Sequence, residues 1–365
     1  MRSETPWEND IGAVGPGTDA PDKVASRTRG RWLTWLFGFA MLGAVVLGAA
    51  HFSEGRQFVG LAAHAHPHWI ALAALFQALT YLAQGEIWRL VTRAGQVPVS
   101  IATAYRLSVA RLFIDQALPS AGLSGTIVMV KSLQLQGIPM PVVMAGVVVD
   151  TASCYATYVI GLVASLVVSL PHHQATRLVL LVAIPFVPLA TAVTVGFRTL
   201  AGRPAGPLAR RLGRFRFLRR GLALLEQANP RLSRAPRLFI QACACQLAVI
   251  LLDTATIWAL ILALGGSAPA WGVFVSFMIS TLSRLIGIAP GGLGAFEAAS
   301  VLTLRVIGTP IPVALAATLL FRGMSFWLPL LPGVLFSRRY MTRSAAHRRE
   351  PGQIQVGTHG STVNS

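Results

Sequence analysis

Charged side chains interrupt the apolar runs of this 365-residue chain at Arg111, Asp115, Lys131, Asp150, Asp253, Arg284, Glu297, Arg305 and Arg322. An ion in apolar surroundings is costly and marks sites where charge is bound or moved. Two breaks accompany them. One is Leu118-Pro119-Ser120-Ala121-Gly122-Leu123-Ser124-Gly125, the other Ala289-Pro290-Gly291-Gly292-Leu293-Gly294. Proline and clustered glycine will not continue a helix, so a new helix starts after Gly122 and after Gly292. Its N-terminus carries unpaired N–H groups and a partial positive charge, which suits phosphate. The glycines let a bound group approach the backbone. The candidate anion site is therefore Pro119, Gly122, Gly125, Pro290, Gly291, Gly292, Gly294 and Glu297 with Arg111, Arg284 and Arg322. Asp115, Asp150 and Asp253 are candidate charge partners, and one of them could instead carry a proton.

Each of these residues has a plainer reading. Arg305 and Lys131 can snorkel to an interface. Glu297 can be an acid favoured in a first helical turn. Arg322 can neutralise Glu297 or an aspartate in a structural pair; a double substitution separates that role from phosphate binding. Covalent catalysis finds no support: no nucleophile–base pairing, HExxH or phosphate loop is present. The three cysteines, Cys154, Cys243 and Cys245, fall inside apolar runs without disulfide or zinc spacing. His64, His66 and His68 alternate in a loop with no further ligand cluster, so no metal or other cofactor is expected.

The elements that position these groups are membrane spans. The chain is 54% hydrophobic and 12% charged, with mean hydropathy +0.60, whereas a soluble domain carries about 25% charged residues. Long apolar runs with short loops predict an all-α polytopic membrane protein. The net charge of +18 does not point to nucleic acid, because the basic residues cluster between apolar runs. Residues 1–30 read as a disordered tail, 31–337 as the membrane domain, and 338–365 as a basic disordered tail. Spans are predicted at 32–50, 69–92, 141–170, 176–197 (with Pro185 and Pro188 inside), 238–264 and 311–336. Shorter runs, 101–118 with 122–138 and 271–289 with 295–307, flank the two breaks. Loop 198–237 holds eleven arginines and one acid, Glu226. Residues 207–226 within it read as a basic amphipathic helix on the anionic inner leaflet.

Span, broken pair, span occurs twice, in halves of about 69–170 and 238–337, at an offset of about 170 residues. Pro119 to Pro139 and Pro290 to Pro310 have equal spacing, and Ile87-Trp88 and Gly95 find counterparts in Ile257-Trp258 and Gly265. Thr126 falls opposite Glu297 in this register, so the acid is not duplicated. Basic residues at 23–31, 89–93, 198–237 and 338–349 place those segments in the cytoplasm. The first broken pair then enters from inside and the second from outside. This predicts inverted repeats with re-entrant pairs, as in many transporters, and cytoplasmic termini.

PGGLGAFE (290–297), with FIDQALPSAGLSG (113–125) and RGMSFWLPLLP (322–332), resembles the lysylphosphatidylglycerol synthase transmembrane (flippase-like) family over roughly residues 30–337. Its members are similar in fold to the membrane half of bacterial multiple-peptide-resistance proteins. There this region moves aminoacylated phosphatidylglycerol between leaflets, and a separate cytosolic domain attaches the amino acid. About 28 polar residues follow the last span here. The resemblance thus implies a translocase of a membrane phospholipid or lipid-linked substrate in a bacterial inner membrane, without the aminoacyltransferase. A homo-oligomer is compatible with it. The competing reading is a non-transporting membrane subunit that anchors or regulates a lipid-modifying enzyme. A translocase predicts an open lateral groove lined by Glu297 and the arginines, a subunit a closed bundle.

Overall fold

The computed structural model describes residues 65–117, 123–203, 216–286 and 294–327. The predicted span at 32–50, both tails, the segment 204–215 and the centres of both breaks lie outside them.

Helices open where proline has no N–H to lose. Pro67 starts α1 (Pro67–Ala94), Pro141 lies in the first turn of α4 (Met140–Ser169), Pro236 starts α8 (Pro236–Ala263), and Pro312 lies in the first turn of α11 (Ile311–Arg322). Between them run α2 (Ile101–Ala117), α3 (Leu123–Gln134), α5 (His173–Leu200), α6 (Arg216–Glu226), α7 (Pro230–Arg234), α9 (Ala270–Ile286) and α10 (Ala295–Val306), and a π-helical turn at Gly323–Trp327 follows α11. Among the described residues α1, α4, α5 and α8 are long and apolar enough to cross a membrane, and there is no strand. The protein is an all-α polytopic membrane protein. In the predicted last span the α-helix gives way after Arg322 to the wider π turn, and residues 328–336 lie outside the described residues.

The two halves share their dimensions. α1 and α8 each have 28 residues, α2 and α9 each 17, α3 and α10 each 12. Their junctions match as well. Gly137 (φ 79) and Gly308 (φ 99) occupy the left-handed region just before Pro139 and Pro310, where only glycine is unstrained. The N–H groups of Ile138 and Thr309 then bond Leu133 and Leu304 in the same pattern. The register is 169 residues through the first two helices, from Pro67 to Pro236, and not 170. Trp88 therefore matches Ile257, and Gln96 (φ 61) matches Gly265 (φ 73).

α1 and α8 pack antiparallel. The His66 N–H at the start of α1 donates to the Ala263 carbonyl at the end of α8, 2.9 Å, and Thr80 meets Asp253 midway. Lipid tails are as apolar as leucine, so association here rests on close packing and polar contacts between helices. Gly146 of α4 shows the closeness: a Cβ there would come within 2.6 Å of the Trp88 ring. α5 pairs with α4 through Thr194 and Ala152 and continues through Pro185 and Pro188. It turns outward, with Leu181 71% and Ile184 70% exposed. Two of the loop arginines brace its end. Arg234 donates to the Ala201 and Thr199 carbonyls, and Arg198 donates to the Arg234 carbonyl while lying over the Phe239 ring. The basic helix expected over 207–226 is present as α6 where it is described.

Candidate functional site

The second break ends at Gly294, whose φ of 87 needs glycine. Its N–H donates to Glu297 Oε2 at 2.6 Å, so the acid closes the N-terminus of its own helix. The other oxygen, Oε1, accepts from Arg322 Nε at 2.7 Å. Both residues are buried. The guanidinium lies 4.5 Å from the Phe296 ring centre, and Phe296 stacks on Phe321. This pair is desolvated and boxed by rings, so loss of either partner would strand a charge at a cost of about 3–5 kcal/mol. The π turn beyond Arg322 frees carbonyl groups, and the Tyr81 hydroxyl of α1 donates to one of them, Met324, at 3.1 Å.

A second centre forms where α1, α2, α4 and α8 converge. Asp150 Oδ2 accepts from Arg111 Nη1 at 2.6 Å. Its Oδ1 accepts from Gln84 Nε2 at 3.2 Å and Gln246 Nε2 at 3.1 Å. Asp150 is 4% exposed, and Arg111 also faces the Trp88 ring. Both carboxylate oxygens accept from charged or amide donors, and the carboxylate is buried, so the centre is closed.

The third acid is treated differently. Asp253 Oδ1 accepts from Thr80 Oγ1 at 3.1 Å and from Gln77 Nε2 at 3.5 Å, both neutral donors. The Gln77 side-chain oxygen has no partner among the described residues. Arg284, in the last turn of α9 beside the break, is half-buried. Among the described residues it makes no hydrogen bond or ion pair.

The candidates read from the sequence thus separate. Arg111 joins Asp150, and Arg322 joins Glu297; Arg284 joins neither pair. Gly125 is buried as the third residue of α3 and matches Glu297 in register, the place assigned above to Thr126. Asp115, in the last turn of α2, holds the position equivalent to Arg284. Lys131 and Arg305 are exposed. Pro119, Gly122, Pro290, Gly291 and Gly292 lie outside the described residues. No trio of metal-binding side chains occurs among the described residues. The carboxylate donors Gln77, Thr80, Gln84 and Gln246 were not among the sequence candidates. One signal could have found them: Gln77 and Gln246 are polar residues at equivalent places in two apolar spans, 169 residues apart.

A family model described as the lysylphosphatidylglycerol synthase TM region matches residues 32–333. No curated protein matches the chain.

Proposed function

The chain belongs to the lysylphosphatidylglycerol synthase TM region family, a membrane family tied to lipid handling, and from that premise we propose that it is a lipid translocase carrying a phospholipid or lipid-linked headgroup between leaflets. The observation that carries this reading is Arg284. It is a half-buried guanidinium beside the Gly-rich break that forms no ion pair among the described residues, although Arg111 and Arg322 each hold an acid. A phosphate crossing low-dielectric surroundings needs such a charge. Arg322, committed to Glu297, then shapes the site and does not bind the headgroup.

The architecture supports the same reading. Antiparallel α1 and α8 relate the two halves as an inverted repeat. α3 and α10, at 12 residues each, reach about 18 Å, short of the ~30 Å hydrocarbon core. Each returns as a re-entrant hairpin with α2 or α9. In the second hairpin Ser276 on the way in meets Thr303 on the way out, 2.6 Å apart. The membrane domain is 31–337; the two tails and loop 198–237 are cytoplasmic, and α6 rests on anionic inner-leaflet lipid. Aminoacyl transfer is no part of this activity.

The second reading, a non-transporting subunit of a lipid-modifying enzyme, draws on the closed pairs at Asp150 and Glu297, which suit a static bundle. Purified protein in liposomes containing fluorescent phosphatidylglycerol decides between them. The translocase moves label across the bilayer, as read by quenching from outside, and Arg284→Gln slows that movement while the protein stays folded. Folded wild-type protein that moves no phosphatidylglycerol faster than empty liposomes would overturn the translocase. In intact cells Gln227→Cys, on an exposed position after α6, resists impermeant maleimide; efficient labelling would overturn the orientation.

A further inference from the structure

A groove of about 600 Å³ opens between α1, α2 and α8, with none of Asp150, Asp253 and Glu297 in its lining. Leu79, Leu82, Ile101 and Leu252 form its apolar walls, while Ala104, Ala244 and Ala248 leave its floor low. Two small groove residues have larger counterparts in the other half. There Val273 replaces Ala104, Phe274 replaces Tyr105 and Phe76 replaces Cys245, all packed on the core. Small side chains of α2 and α8 therefore open the groove where these helices meet α1.

Its charged end also differs from the other half. Glu86 and Arg89 line it, and the Glu86 carboxylate pairs with Arg89 and, at 3.8 Å, with Arg93. Two guanidiniums on one carboxylate leave one net positive charge. Arg89 is nearly covered, with an Nε that has no acceptor among the described residues, and Arg93 is half exposed. The equivalent of Arg89 is Trp258, whose indole N–H is already given to the Ala268 carbonyl, 3.1 Å. Leu79 to Arg89 is ten residues of helix, about 15 Å, half the ~30 Å hydrocarbon thickness and so the depth of one leaflet. Arg89 stands five residues from the end of α1, about 7.5 Å, at the level of headgroups.

We infer that this groove holds an acyl chain of one anionic glycerophospholipid, with its phosphate against Arg89 and Arg93. The inference needs only that these helices span a membrane; it does not require that lipid be moved. The full chain is reconstituted with phosphatidylglycerol bearing a photoactivatable group in one acyl chain, then irradiated, and the adducts are mapped. Adducts concentrate on α8 between Ala244 and Leu252 and on α1 between Leu79 and Leu82, well above those on the open face of α5 at Leu181 and Ile184. Adducts spread in proportion to exposure would mean annular lipid only and would overturn the site. Ala248→Trp fills the floor and removes the excess. Arg93→Gln, which leaves the Glu86–Arg89 pair in place, lowers retention of phosphatidylglycerol over phosphatidylcholine about fivefold, as read by native mass spectrometry. Unchanged headgroup preference in that variant would overturn the phosphate contact. Should Ala248→Trp fail to fold, the wild-type thiol Cys245 in the groove serves: bound phosphatidylglycerol slows its alkylation by a membrane-permeant maleimide, and equal rates with and without the lipid would overturn occupancy.

Discussion

Asp150 and Asp253 belong to opposite halves of one repeated plan, and their surroundings diverge. Gln84 matches Asp253 in register, and Gln77 matches Gln246, so α1 and α8 offer the same polar positions to both sites. At Asp150 those positions supply two amides and α2 supplies Arg111, which completes a neutral, fully bonded unit. At Asp253 they supply one amide, Gln77; the other donor is the hydroxyl of Thr80, whose counterpart is Val249, and the cation stays apart on α9 as Arg284. The lesson is local: Asp150 and Glu297 are each closed by an arginine, one in either half, whereas Arg284 beside the second break holds no acid among the described residues.

The sharpest way to break this comparison is at the closed centre. Arg111→Gln strands the Asp150 carboxylate and should lower stability by about 3–5 kcal/mol, seen as a large fall in the detergent melting temperature. Arg111→Gln with Asp150→Asn should regain most of that loss. A single variant as stable as wild type would show that the pair anchors nothing. Arg322→Gln should cost a similar amount, and adding Glu297→Gln should restore both folding and transport, since glutamine still caps α10. A folded double variant without transport would return Arg322 to the headgroup site.

Arg284→Gln tests the other half. Its effect should fall on transport and not on folding, by about 10–100-fold if one charge-assisted contact to phosphate is lost. A melting temperature lowered as far as in Arg111→Gln would make Arg284 an anchor like its counterpart. Asp253→Asn should change least. Thr80 and Gln77 can still bond the amide, so stability should shift by about 1 kcal/mol or less. A large loss would mean that Asp253 and Arg284 form a pair after all.

Much of the fold was legible from residue type alone. The spans expected at 69–92, 141–170 and 238–264 lie within two residues of α1, α4 and α8, because an apolar run bounded by proline, glycine and basic residues leaves little freedom. The repeat was visible through its prolines, but its register slipped by one at Trp88 and Ile257, since apolar residues on neighbouring helix faces look alike in sequence. The acid partners were harder. Glu297 and Arg322 are 25 residues apart and Gln246 and Asp150 are 96 apart, and only the packing of helices selects one acid over another. Glutamine carries no charge to draw attention, so the amide donors were legible only through the 169-residue match of Gln77 with Gln246.

The α1–α8 contact also sets a timetable for manufacture. α1 enters the bilayer with Gln77, Thr80 and Gln84 on one face, but their partners on α4 and α8 are encoded later, Asp253 more than 170 residues on. At about 5–20 residues per second of synthesis, the nascent span waits roughly 10–30 s before that acid exists. During that interval its amides must face water, the translocon or each other. Assembly is therefore gated by translation, and a helper that shelters polar spans would act on α1 first.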